Sequence, residues 1–220
     1  PFHADVQWSN EGMQGMVRFL SRIFKLVSEL EPNFVPNWSD LIAFEELDDL
    51  GKKVRRVTHQ AIRNCTRDID EFGFNTYVSW LMKYVNELND CLDHARTRLA
   101  DTRSFQIVFS EAAETLIKLM SPGAPHSADE LWTSLGREGY TYQAEWPTYR
   151  EELAKESEVT IAVQVNGKLR DTLTVPAGTS EEDLKAAAFG SSKVATFTDG
   201  KEVKKVIVIP GRLVNIVVAG

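Results

Sequence analysis

Apolar residues recur at every third or fourth position through the first three-quarters of the chain, which is the spacing of helices with one buried face. Capping and turn residues divide this region into five predicted helices. Their expected ends are Ser9 and Pro32, Leu47 and Gly73, Asn75 and Leu99, Ser104 and Leu119, and finally a Ser127–Glu130 capping box and Gly136. Because each helix must bury its apolar face against the others, an antiparallel helix bundle is expected.

Near residue 156 the period of the apolar pattern changes from about 3.6 to 2. Apolar and polar residues alternate from Val159 to Val165, and Asn166-Gly167 is the preferred two-residue turn of a β-hairpin. A helix from Ser180 follows, and then two strands that meet around Pro210-Gly211. The order strand, strand, helix, strand, strand predicts a small α+β domain of the ββαββ type.

The two patterns together predict a chain of mixed class, α and then α+β. We expect a helical bundle in residues 1–155 and a small α+β domain in residues 156–220. Hydrophobic residues make up 43% and charged residues 26%, as in ordinary soluble proteins. Neither a membrane span of about 18 apolar residues nor a signal peptide is recognised, so a cytoplasmic protein without a membrane partner is expected. The non-methionine start at Pro1 suggests a piece of a longer protein.

The net charge of −7 argues at first against a nucleic-acid partner. The charges are unevenly distributed, however. Residues 1–158 carry 17 basic and 26 acidic side chains, a balance of −9, whereas residues 159–220 carry 8 basic and 6 acidic side chains, a balance of +2. A mildly basic tail on an acidic body is compatible with local contacts to phosphate groups.

Candidate chemistry is sparse. Phosphate-binding glycine loops and the serine-hydrolase elbow are not found, so no catalytic residues are assigned. A zinc site built from His59, Cys65, Cys91 and His94 is disfavoured, because His59 and Cys65 are six residues apart and point in different directions on a helix. We therefore predict no metal site and buried, reduced cysteines.

Basic side chains on two helices are candidates for phosphate contact. Arg56, Arg63 and Arg67 fall near one face of the second helix, at spacings of seven and four residues. Arg18 and Arg22 share a face of the first helix. In both cases the alternative is a solvated face whose cations pair with acidic neighbours.

The tail offers a second set of candidates close to its predicted turns: Asn166, Lys168, Arg170, Lys204, Lys205 and Arg212. Strand alternation would place Lys168 and Arg170 on one side. Aromatic residues are interpreted as core, both in the tail (Phe189, Phe197) and in the helical part, where Trp80, Trp132, Tyr140, Tyr142, Trp146 and Tyr149 are expected to form packing and cap contacts. The tail is therefore predicted to contact the nucleic-acid backbone rather than single-stranded bases.

Several strings resemble a known family. PHSADELW (125–132), followed by Trp146-Pro147, looks like the end of the helical anticodon-binding domain of class I aminoacyl-tRNA synthetases. FGFNTYVSWLMKYVNEL (72–88) and DVQWSNEGMQGMVRFLSRIFKLV (5–27) are similar to segments of the leucyl enzymes, and VQVNGKLRD (163–171) and IPGRLVNIVV (209–218) resemble the C-terminal domain of bacterial-type leucyl-tRNA synthetases. Mild departures occur at Tyr77-Val78 and at Arg212.

The resemblance implies the tRNA-holding part of an enzyme that attaches leucine to tRNA-Leu at the cost of ATP. Catalytic and editing domains, with ATP and magnesium, would lie upstream, and this part would hold no cofactor, perform no aminoacylation by itself and act within a monomer. Valyl and isoleucyl enzymes fit less well, because they tend to end in a coiled coil or a cysteine-rich segment. A free-standing protein-interaction bundle with an α+β appendage is the alternative outside the family.

Overall fold

A computed structural model describes residues 10–42, 47–155 and 158–219 of the chain. The chain divides into two compact units, Pro1–Lys155, here called the helical unit, and Glu156–Gly220, here called the tail unit. Each unit has its own cluster of buried apolar side chains. The predicted class, a helical bundle followed by a small α+β domain, is confirmed.

The helical unit consists of α-helices and short 3-10 turns. Its helices are α1 (Asn10–Leu30), α2 (Trp38–Leu41), α3 (Asp49–Asp70), α4 (Phe74–Ala95), α5 (Arg103–Met120), α6 (Pro125–Ser134) and α7 (Glu151–Ala154). The 3-10 turns cover Glu31–Asn33 and Thr141–Gln143. Helix α5 is the most enclosed, since nearly all its residues from Phe105 to Met120 are buried. A helix that is buried on all sides forms the centre of a bundle, and α1, α3, α4 and α6 pack around it.

Three of the predicted helix caps are wrong. Asn75 and Ser104 lie inside α4 and α5, whose N-caps are Gly73 and Thr102. Ser127 also lies inside its helix, because Pro125 occupies the first turn of α6, where a missing N–H is harmless. Ser9 is outside the described residues.

Two other helix ends follow simple backbone chemistry. The Asp48 carboxylate accepts a hydrogen bond from the backbone N–H of Gly51 and caps α3. Helix α6 ends in a left-handed turn at Gly136 (φ 70°), where the N–H of Arg137 donates to the carbonyl of Trp132. The predicted end at Gly136 is thereby confirmed.

The tail unit is a sheet with helices on one face. It contains β1 (Glu158–Val165), β2 (Lys168–Pro176), α8 (Glu181–Gly190), α9 (Ser192–Thr198), β3 (Val203–Ile209) and β4 (Leu213–Val218). The strand order is β2-β1-β4-β3, with β1 and β4 parallel and both hairpins antiparallel. The single predicted helix is in fact two, because the Ser191 hydroxyl caps a second helix directly after α8.

In both hairpins the register of the strands shifts at a basic residue. The register of β1 and β2 pairs Val163 with Asp171 and Gln164 with Leu169, so Arg170 is an extra residue in a β-bulge. The register of β3 and β4 likewise skips Lys204. Arg170 and Asp171 therefore both lie on the side of the sheet that faces the helices. Strict alternation along the strand would place two consecutive residues on opposite sides.

Candidate functional site

A buried ion pair occupies the interior of the helical unit. The Arg55 Nε and Nη2 groups donate to the two carboxylate oxygens of Glu111, at 2.8 and 3.0 Å, and both side chains are about 6% exposed. Burial alone would raise the pKa of Glu111, but His59 and Arg55 beside it hold the pKa below its usual value. His59 Nε2 lies 3.4 Å from Glu111, longer than a good hydrogen bond, so Arg55 is the principal partner. This cluster links α3 to α5 inside the bundle.

The predicted basic stripe on α3 is largely engaged inside the helical unit. Arg63 forms an ion pair with Glu151 of α7 at 3.0 Å, and Arg67 pairs with its neighbour Asp68 at 2.7 Å. Arg56 is half-buried. Arg63 and Arg67 therefore fit the alternative given by the sequence, which is a face whose cations pair with acidic neighbours.

The same face of α3 holds the segment that leads to α7. The ring Nδ1 of His59 accepts a hydrogen bond from the backbone N–H of Arg150 at 3.1 Å. The Gln60 side chain donates to the carbonyl of Ala154 at 3.0 Å. Together with Arg63, these contacts give this part of α3 a structural role.

The cations of α1 lie on an open face. Arg18, Arg22 and Lys25 are all exposed. The Arg22 guanidinium donates to the Asn86 side chain on α4, which fixes one end of the group. This face can reach a phosphate backbone without breaking any buried contact.

Three lysines lie at one end of the tail sheet. Lys168 pairs with Val165 at the start of β2, and Lys204 and Lys205 lie at the start of β3 beside the end of β4. In the strand order β2-β1-β4-β3 these positions are three strand spacings apart, roughly 14 Å. All three lysines are exposed, and we call them the basic rim. Arg212 lies at the opposite end, in the turn before β4.

Two predicted contact residues of the tail have partners within the tail unit. The Asn166 side-chain oxygen accepts from the backbone N–H of Val218 at 3.0 Å, and the Asn215 oxygen accepts from the N–H of Gly167 at 3.1 Å. These bonds tie the β1–β2 turn to β4. The Arg170 guanidinium lies over the Phe197 ring, 3.7 Å from its centroid, so its position is set by the fold.

The cysteines are buried, as predicted. Burial raises the pKa of the Cys65 thiol to about 12 and that of Cys91 to about 11, so both are protonated at neutral pH and are poor metal ligands. Among the described residues, no group of three or more His, Cys, Asp or Glu side chains is arranged to hold a metal ion. No helix within the described ranges is long and apolar enough to span a bilayer.

The interpretation of the aromatic residues as core is wrong for five of the eight. Trp132 is buried, but the rings between α6 and α7 are exposed, at 55% for Tyr140, 76% for Tyr142, 37% for Trp146 and 42% for Tyr149. Phe189 of α8 is also exposed. Sequence reasoning missed this group because a segment without helical or strand periodicity does not reveal which side chains point outward.

Comparison with known proteins identifies the class. A model of the family described as the anticodon-binding domain of tRNA ligase matches residues 51–186, well over half of the chain. The chain belongs to this family of tRNA-ligase anticodon-binding domains. The matched residues run past the end of the helical unit into β1, β2 and α8, so the family match and the two compact units do not share a boundary.

Individual relatives narrow the class to one kind of ligase. The chain is 39% identical over 219 residues to a leucine–tRNA ligase of Geotalea daltonii, and 39% identical over 219 residues to that of Acaryochloris marina. It also resembles the structure of an Agrobacterium radiobacter LeuRS solved as a ternary complex with tRNA and LeuAMS (TM-score 0.74, 25% identity, 98% of this chain). The resemblance to leucyl-tRNA synthetases is thereby confirmed. The chain spans about a quarter of these relatives, 26%, 24% and 26% of their respective lengths.

Proposed function

We propose that this chain is the tRNA-binding and positioning part of a leucine–tRNA ligase, which attaches leucine to tRNA-Leu at the cost of ATP. The observation that carries the proposal is the match of 99% of the chain to leucine–tRNA ligases, of which it covers only 26%. The family name and the ternary complex of the structural relative with tRNA support it. The remaining length of such a ligase would contain the catalytic and editing domains, with ATP and magnesium bound there.

The proposed mechanism is positioning. The basic rim and the exposed face of α1 would contact tRNA phosphates and so limit where the acceptor end can reach, which lowers the entropic barrier of the reaction carried out elsewhere. Such contacts release counterions, and the affinity should fall steeply with salt. In this proposal the chain by itself does not aminoacylate tRNA.

A surface on α1 suits contact with the rest of a longer ligase. Met13, Met16 and Val17 form an apolar stripe at helical spacing, and they are 48%, 40% and 63% exposed. The stripe continues into Ile23 and Val27, which are fully buried in the bundle. We assign the exposed half of the stripe to contact with the domains upstream, in a cytoplasmic ligase that acts as a monomer.

Titration of the 220-residue chain with a tRNA-Leu transcript tests the proposal. At low salt the chain should bind tRNA-Leu more tightly than an unrelated RNA of equal length, and both affinities should fall as salt is raised. Binding that does not distinguish the two RNAs would reject specific positioning by this chain. If neither RNA binds, a protein-interaction bundle becomes the better description.

A further inference from the structure

The segment between α6 and α7 displays aromatic rings that an ordinary fold would bury. Four rings in ten residues are exposed, with Tyr142 the most open at 76%. The rings of Tyr140 and Tyr142 are stacked, with centroids 5.7 Å apart and planes inclined by 14°. Each exposed aromatic ring forgoes a large hydrophobic contribution, so a group of them indicates a surface that contacts something.

The segment is irregular but firmly anchored. One carboxylate oxygen of Asp129 accepts from both the backbone N–H and the hydroxyl of Thr141, at 2.9 and 2.6 Å. The Trp146 indole N–H donates to the Thr66 hydroxyl on α3 at 2.9 Å, and the Trp132 indole N–H donates to the carbonyl of Glu138 at 3.1 Å. These bonds fix the Trp146 ring and the backbone next to Tyr142, which reduces the entropy lost when a ligand binds there.

A cavity of about 480 Å³ opens beside these rings. Its walls include the side chains of Tyr142, Trp146, Pro122 and Pro125, at the end of α5 and the start of α6. The size falls within the range of sites for small ligands, and flat apolar walls suit a planar ring.

The charged groups at the cavity decide which ring it suits. Lys118 forms an ion pair with Glu114 at 2.9 Å, but Arg137 pairs with the same carboxylate, so the Lys118 charge is only partly compensated and its ammonium group is held towards Glu114. Glu145 is exposed at the wall and offers a carboxylate that accepts hydrogen bonds. A phosphate would be repelled by Glu145, whereas a neutral ring that carries N–H donors would be favoured.

We propose that this cavity holds one unstacked nucleobase of the bound tRNA, stacked on Tyr142 and donating its exocyclic amino group to Glu145. The proposal rests on the proposed function and adds a base-binding site to the phosphate contacts. Cytosine, adenine and guanine carry such an amino group, but uracil does not. Stacking accepts any base, so discrimination against uracil would come from Glu145.

Two single-stranded probes test the proposal: the RNA octamer of cytidine, whose base carries the amino group at C4, and that of uridine, whose base carries a carbonyl at C4 and one N–H at N3. Titration of the full chain, followed by the fluorescence of its tryptophans, should give about tenfold tighter binding of the cytidine octamer. Glu145→Gln should remove this preference. Tyr142→Ala should weaken the binding of both octamers and of tRNA-Leu by about 5- to 100-fold, with an unchanged salt slope, because no phosphate contact is lost.

Two control variants separate the site from its surroundings. Tyr142→Phe keeps the aromatic face and should bind the octamers as the unchanged chain does. Tyr149→Ala is the second control, because it removes an exposed ring that does not line the cavity. If the unchanged chain and Tyr142→Ala bind each octamer equally well, and both still bind tRNA-Leu, the base site is overturned. The proposed function then stays intact. Failure of tRNA-Leu to bind at all would overturn the proposed function itself.

The remaining outcome is that another part of the ligase, and not a nucleobase, occupies the cavity. Hydrogen exchange on a complete ligase without RNA would then show strong protection of residues 139–149, and Tyr142→Ala would remove that protection. This result would overturn the base site in favour of an interface within the ligase. Protection that requires tRNA supports the base site.

Discussion

Arg55 and Glu111 face each other across α3 and α5 and share two hydrogen bonds in a part of the bundle that is almost closed to solvent. Each group satisfies the charge of the other, and Glu111 has only the more distant His59 as a further partner. The basic cluster that the sequence shows at residues 52–56 is therefore divided by the fold. Arg55 points inward and stabilises the bundle, and its neighbours remain near the surface.

Loss of one member of this pair should cost much more than loss of both. We expect Glu111→Leu to lower the free energy of unfolding by about 3–5 kcal/mol, because an unpaired guanidinium stays buried. The double variant Arg55→Met/Glu111→Leu should recover much of that loss. Urea unfolding followed by circular dichroism measures both values.

The matched control is Arg63→Met, which breaks the half-exposed pair with Glu151 and should cost less than about 1 kcal/mol. If the single variant and the double variant are equally destabilised, the Arg55–Glu111 pair is not the dominant interaction at this site.

Acid should weaken the tail unit through Asp171. Its carboxylate accepts from the Ser191 hydroxyl at 2.6 Å and from the Lys193 ammonium at 3.0 Å, and these bonds lower its pKa to about 2. A carboxyl whose folded pKa lies below its unfolded value of about 3.9 stabilises the fold above that value. The contribution is lost as the pH falls from about 4 towards 2.

The measurement is the pH dependence of unfolding of the full chain, with Asp171→Asn as the comparison. The variant should be less stable at neutral pH and should lose part of the slope below pH 4. A variant with the same slope as the unchanged chain would assign the acid sensitivity to other carboxylates.

Asn166 is a predicted RNA contact that also has a structural role within the tail unit. Its backbone is left-handed (φ 48°), and its side-chain oxygen receives the N–H of Val218. We expect Asn166→Ala to destabilise the tail unit by about 1–3 kcal/mol, because it combines an unfavourable φ with a lost acceptor. Asn166→Asp keeps both features and should retain most of the stability.

Binding separates the two roles of Asn166. Under conditions in which Asn166→Ala is fully folded, its affinity for tRNA-Leu should equal that of the unchanged chain. A drop of tenfold or more with the tail unit still folded would return Asn166 to the RNA contact surface.

Periodicity alone predicted the two kinds of structure and most helix cores, because burial of one face imposes a repeat of 3.6 or 2 residues. Local caps were less predictable. Ser127 and Glu130 have the spacing of a capping box, yet Pro125 begins the helix two residues earlier. A single sequence shows which residues can cap, and the packing of α6 decides which one does.

The candidate site was predicted unevenly for the same reason. Lys168, Lys204 and Lys205 were recognisable as cations near turns, but their grouping at one end depends on the β1–β4 pairing between distant strands. The β-bulge that turns Arg170 towards Phe197 cannot be recognised in the alternation of apolar and polar residues along the strand. The exposure of Tyr142 has no counterpart in the sequence, because the residues around it show no helical or strand period.

The basic rim should carry the salt-dependent part of tRNA binding by the tail unit, since its three exposed lysines lie at one end of the sheet. Lys168→Ala/Lys205→Ala should weaken binding of tRNA-Leu and reduce the slope of log affinity against log salt by about 1.5, for two lost phosphate contacts. Arg212→Ala is the control, because it removes one exposed cation at the opposite end of the sheet, in the turn before β4. Titration of the full chain between low and moderate salt gives the three slopes. If Arg212→Ala lowers the slope and the double lysine variant does not, the tail unit contacts tRNA with the opposite end of its sheet.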